Sequence, residues 1–61
     1  MPYINVKSAG KLSKEQKKKI AEAFTQAMQE VAGKPAQYTY VVFEDIPTES
    51  WAIGGKLLSG D

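Results

Sequence analysis

The chain contains no cysteine, no histidine and no arginine, and it is 61 residues long. Each absence removes a class of explanation. Without cysteine there is no disulfide staple, and without cysteine or histidine there is no structural zinc site of the familiar kind. The same two absences remove the general bases and nucleophiles used most often near pH 7, together with the soft ligands of transition metals. Without arginine the chain has no planar, permanently charged fork for gripping a carboxylate. No stretch approaches the roughly 20 apolar residues of a membrane span. Lys7, Lys11 and Lys14 interrupt any apolar run near the start, so the pattern of a signal peptide is missing. A cytoplasmic protein with no membrane partner is expected.

What is present is a globular composition, 43% hydrophobic and 25% charged, in a length that fits one domain spanning residues 1–61. At this size ordering the chain costs roughly 1.5 kcal/mol per residue, a sum that apolar burial usually only about matches. Self-association is the reinforcement left open. Net charge is +1, but its distribution is uneven. Lys7, Lys11, Lys14, Lys17, Lys18 and Lys19 crowd the first nineteen positions beside one acid, Glu15. Later, Lys34 and Lys56 face Glu22, Glu30, Glu44, Asp45, Glu49 and Asp61. The N-terminal third is thus the part that should attract anions.

The segment Tyr3 to Lys7 alternates, with Ile4 and Val6 on one face, the period of a half-buried strand. Ser13-Lys14-Glu15-Gln16 has the form of a capping box and predicts a helix start. The helix should run about twenty residues, with an apolar stripe of Ile20, Phe24, Ala27 and Val31 flanked by Ala23 and Met28. Gly33 suits the left-handed residue that closes a helix, and Pro35 prevents its resumption. Gln37 to Asp45 reads as a second strand, with Thr39, Val41 and Phe43 on one face and Tyr38, Tyr40, Val42 and Glu44 on the other. Two strands joined through a helix favour a parallel pair. Both faces of the second strand are largely apolar, and one helix can cover only one of them. The tail from Pro47 to Leu58 reads as a turn, a short apolar stretch, a Gly-Gly turn and another apolar pair. Trp51, Leu57 and Leu58 would be exposed in a lone protomer, so the tail is expected to be an arm that packs on a neighbour.

Few groups could do chemistry. Glu44-Asp45 is the one adjacent acidic pair, and strand neighbours point to opposite faces, so they form no shared dyad. Pro2 is the better candidate. Cleavage of Met1, which a small second residue permits, would make Pro2 a secondary amine at the start of a strand. An α-amino group titrates at about pH 8, and low dielectric or nearby cations lower that value. A neutral amine at pH 7 can act as a general base. On residue type alone, Pro2 reads first as a strand start that needs no backbone donor. Lys17-Lys18-Lys19 diverge around a helix by about 100° per residue and share no face, so they read as solvated surface rather than a nucleic-acid patch. Tyr38 and Tyr40 share a face without Phe43 and are explained by interface packing rather than base stacking.

Taken in order, several features together resemble the 4-oxalocrotonate tautomerase family over essentially the whole chain, without gaps. They are Pro2 after the initiator, the strand Tyr3 to Lys7, Ser13-Lys14-Glu15-Gln16-Lys17 opening a long helix, Pro35, the strand Tyr40-Val41-Val42-Phe43-Glu44, and Trp51 followed by Ile53-Gly54-Gly55. The resemblance implies an α+β fold: a β-α-β protomer with a parallel two-stranded sheet, one long helix and a C-terminal hairpin, assembled as a homohexamer, a trimer of dimers. It also implies a cofactor-free isomerase whose amino-terminal proline moves a proton between the enol oxygen and a carbon of a 2-hydroxydienoate or other enol.

Carried over residue by residue, the resemblance makes Pro2 the catalytic base and acid. Trp51 takes the place of an aromatic residue in the apolar wall that keeps the proline amine unprotonated. The family's two substrate-binding arginines fall at Leu12 and Tyr40, and neither is arginine here. Lys11 could present an ammonium to a carboxylate, as could Lys7 on the first strand, or both are ordinary solvated lysines. The Tyr40 phenol could hold an enolate or carbonyl oxygen, or serve as an interface aromatic. A pocket of Leu12, Tyr38, Tyr40 and Trp51 suits a monocarboxylate with an apolar or aromatic tail, and Glu49-Ser50-Trp51 is similar to the phenylenolpyruvate-type tautomerases of the same superfamily. The rival reading is a catalytically weak or non-catalytic subunit of a tautomerase-like homo- or hetero-oligomer.

Overall fold

In the computed structural model, which describes residues 1–60, the order of elements is β1 (Tyr3–Ala9), α1 (Lys14–Ala32), β2 (Tyr40–Ile46), β3 (Ala52–Ile53) and β4 (Lys56–Leu57). β1 and β2 pair in parallel, with Tyr3 opposite Tyr40 and Ala9 opposite Ile46. Ile4, Val6, Val41 and Phe43 are half-buried on the helix side, while Tyr3, Asn5, Lys7, Tyr40, Val42 and Glu44 line the open side. The expected β-α-β unit with a C-terminal hairpin is present.

The helix begins as the capping box requires. Gln16 donates its amide to Ser13 Oγ at 3.1 Å, and Ser13 donates its own to Gln16 Oε1 at 2.9 Å. It ends 19 residues later at Gly33, whose φ of +66° is open to glycine without a Cβ penalty. No described helix is long and apolar enough to cross a membrane.

Three expectations need correction. Gln37 and Tyr38 belong to a 3₁₀ turn, Ala36–Tyr38, and not to β2. Tyr38 and Thr39 donate their amides to Pro35 and Ala36 at 3.1 Å each, and β1 offers no ladder partner before Tyr3. The helix stripe is also rotated: Lys17, Ile20, Ala21, Thr25 and Met28 are half-buried, whereas Ala27 is exposed and Val31 is 88% exposed. Two strands some 5 Å apart form a platform about as wide as one helix, so they shield its underside and leave its flanks open. Trp51 and Leu57 are half-buried rather than exposed, and only Leu58 of the three is open. The cause is the hairpin. Gly54 and Gly55, with φ of +60° and +83°, make a two-residue turn, and Leu58 donates its amide to the Trp51 carbonyl at 2.9 Å. This folds the tail back over the turn Thr48–Ser50.

No described residue is fully buried. The chain measures 44 × 24 × 14 Å with a radius of gyration of 14.5 Å, against about 10.5 Å for a compact domain of this length. The fold is a thin layer with two uncovered sides rather than a closed core.

Candidate active site

Pro2 stands at the head of β1 and is half-buried. Its position suits its chemistry, since a residue at the end of a ladder needs no amide hydrogen to satisfy. Its carbonyl accepts the Tyr40 amide at 2.9 Å, so the first residues of the two strands are joined by a backbone bond. Tyr3 and Tyr40 lie directly opposite each other on the open face, 63% and 51% exposed. The main chains of Pro2 and Tyr40 are therefore adjacent.

Lys11 and Leu12 are not part of that group. They occupy the loop after β1, at the opposite end of a seven-residue strand that spans about 20 Å. Trp51 follows β2 and lies beyond the same far end. Within one protomer the five residues thus divide into Pro2 with Tyr40 at one end of the sheet and Lys11, Leu12 and Trp51 towards the other. Lys7 projects from the open face opposite Glu44.

The far end has its own polar organisation. Asp45 Oδ2 accepts from Lys17 Nζ at 2.6 Å and Oδ1 from the Leu12 amide at 3.5 Å. The hydrogen bond from Lys17 holds the Asp45 carboxyl below the ordinary carboxylate value; the Leu12 amide and the charges of Lys17 and Lys11 add to this, against a smaller opposing effect of burial. Two open grooves flank the loop. One, of ≈ 550 Å³, is lined by Gly10, Lys11, Asp45, Ile46, Pro47 and Thr48, and the other, of ≈ 650 Å³, by Lys11 to Lys14 with Lys17. Glu44, on the opposite face from Asp45, accepts from Asn5 Nδ2 at 2.9 Å. Among the described residues no group of carboxylates converges as metal ligands.

The Lys17–Asp45 contact has no signature in the sequence. The partners are 28 residues apart, and Lys17 is indistinguishable from its neighbours in a run of lysines. The one available hint was that Lys17 lies a single turn after the capping serine.

The family model described as "Tautomerase enzyme" matches residues 2–60. The chain belongs to the tautomerase family. Among these tautomerases it is 41% identical to a probable tautomerase of Bacillus cereus over 59 residues, 97% of each chain. It is 36% identical to the 2-hydroxymuconate tautomerase of Comamonas testosteroni over 55 residues, 90% of this chain and 87% of that one. In three dimensions it is similar to a structure from work on the 4-oxalocrotonate tautomerase isozymes of Methylibium petroleiphilum. That match has a TM-score of 0.88 and 34% identity, covering 97% of this chain and 95% of the other. Membership in the tautomerase family supports a tautomerase-like function.

Proposed function

We propose that this tautomerase interconverts enol and keto forms of a 2-hydroxydienoate or an arylenolpyruvate-like monocarboxylate, with the Pro2 amine as base and acid once Met1 has been removed. The observation that supports the reading is the hydrogen bond from the Tyr40 amide to the Pro2 carbonyl, which joins the main chains of the two residues at the head of the sheet, in a chain of this family. The neutral amine takes the proton from the enol oxygen. The electron pair moves through the conjugated system, and the ammonium returns the proton to carbon. The step is an internal relocation of one proton, so it balances with no cofactor or co-reactant.

Tyr40 would donate its phenolic hydrogen to the oxygen on which charge develops. Lys11 would meet the carboxylate, and Leu12 and Trp51 would form apolar walls that disfavour the charged amine. Leu12 and Tyr40 at the two arginine positions leave one cation where the family has two, which fits one carboxylate better than two.

These residues lie at opposite ends of one protomer, so the pocket is completed between copies. The uncovered sheet face, the exposed Val31 and the absence of any buried residue among those described all favour self-association. A homohexamer built as a trimer of dimers is the assembly proposed. Family membership favours catalysis over the non-catalytic subunit. The deciding measurement is turnover of an arylenolpyruvate and a 2-hydroxydienoate by the processed protein and by Pro2→Ala of equal oligomeric size. Loss of activity in the variant is expected, and equal turnover would refute the mechanism.

A further inference from the structure

The loop Gly10–Ser13 carries two of the proposed pocket residues, Lys11 and Leu12, and stands between two open grooves, so packing within the protomer does little to fix it. Its entry is held by the Gly10 amide donating to the Ile46 carbonyl at 2.8 Å, and its exit by the Ser13–Gln16 capping box. Between these anchors the loop's one side-chain tether among the described residues is Asp45, through the 3.5 Å contact to the Leu12 amide. A contact of that length is weak alone and sensitive to small shifts of the carboxylate. The carboxylate is steadied by its other oxygen, which takes the 2.6 Å bond from Lys17, one turn into α1. Asp45 therefore links the end of β2, the loop and the helix. Pairing with Lys17 also offsets the negative charge that would otherwise compete with a substrate carboxylate for Lys11.

We propose that Asp45, steadied by Lys17, is a positioning residue that fixes the Lys11–Leu12 wall of the substrate pocket without touching substrate. The inference rests on the tautomerase reading. A residue that merely supports the fold and one that positions this wall differ in their kinetic signature. Loss of support lowers the active fraction and hence apparent kcat, while surviving molecules keep their KM. Displacement of the wall raises KM in every molecule.

The test uses the assembled protein with an arylenolpyruvate as substrate, comparing Asp45→Ala, Asp45→Asn and, as a lysine control on the exposed helix surface, Lys18→Met. Asp45→Ala should raise KM about tenfold, whether or not kcat also falls, since small misplacements of a binding group carry penalties of this order or larger. Asp45→Asn, which keeps an oxygen for the Leu12 amide, should fall between Asp45→Ala and the unaltered protein, and Lys18→Met should match the unaltered protein. Amide hydrogen exchange at Leu12, normalised to Val6 in β1, should accelerate in Asp45→Ala. Unchanged KM in Asp45→Ala, or a fall in kcat alone, would overturn the positioning role. Absence of turnover in the unaltered protein with both an arylenolpyruvate and a 2-hydroxydienoate refutes the tautomerase reading by itself. The tether is then judged on the Leu12 amide, and exchange equal to that of the unaltered protein would overturn it as well. If Asp45→Ala fails to assemble, Asp45→Asn carries the same comparison.

Discussion

The Tyr40 amide donates to the Pro2 carbonyl at 2.9 Å, one step beyond the Tyr3–Tyr40 pair that begins the parallel ladder. Pro2 therefore does not hang free as a terminal residue. Its main chain is fixed against β2 through its carbonyl, and its nitrogen takes no part in the ladder.

That arrangement predicts a strict dependence on processing. With Met1 attached, the Pro2 nitrogen is a tertiary amide without a basic lone pair. Intact mass should show the protein lacking methionine in its active form. A variant whose N-terminus is extended by an uncleavable residue should assemble normally and lose at least about 100-fold in kcat, the scale of a lost general base. Full activity in the extended protein would eliminate Pro2 as the base.

Tyr40 is expected to act in the transition state rather than in binding. Tyr40→Phe removes one hydroxyl and should lower kcat about 100-fold with KM within a few-fold, as for loss of an oxyanion donor. Tyr40→Arg should shift preference towards a dicarboxylate, read as the ratio of kcat/KM for a 2-hydroxydienedioate over an arylenolpyruvate. A ratio that does not rise would break the link between this position and substrate charge.

Association should be tied to the open face of the sheet. Val42 lies on it, exposed in the single chain, so Val42→Lys disturbs nothing within a protomer. In the assembly it would bury a charge. Sedimentation should show the unaltered protein as a hexamer and Val42→Lys as smaller species with reduced helical signal. A Val42→Lys hexamer of undiminished stability would place the interface elsewhere.

Asp45 should make stability depend on acid. Its carboxyl titrates lower in the folded protein than in the unfolded chain. Its contribution is therefore complete above the ordinary aspartate value of about 3.9 and is lost as pH falls through the lower folded value. Urea midpoints at fixed protomer concentration should drop as pH falls from about 5 to about 2. Asp45→Asn should show a smaller drop, and an identical one would mean that other carboxylates carry the acid sensitivity.

Much of the local structure was legible because short-range rules dictate it. The alternation of Ile4 and Val6, the capping box of Ser13 and Gln16, the left-handed Gly33 and the Gly54-Gly55 turn each act over four residues or fewer, and their outcomes do not depend on what packs nearby. The start of β2 at Tyr40 was less accessible. Tyr38 has strand propensity, but a strand residue needs a partner, and β1 supplies none beyond Tyr3.

The sequence by itself determined that the chain is a β-α-β unit, that Pro2 is its most promising base, and that one protomer has more apolar surface than it can cover. The first and last follow from residue type and period, and the standing of Pro2 follows from the missing cysteine and histidine together with the resemblance to the tautomerase family. Only the tertiary structure decided which groups meet. The parallel register puts Tyr40 beside Pro2, sends Lys11 and Leu12 about 20 Å away, and draws Lys17 onto Asp45 across 28 residues of chain. Contacts of that kind depend on how the strands align and where the helix lies across them, which no local pattern encodes.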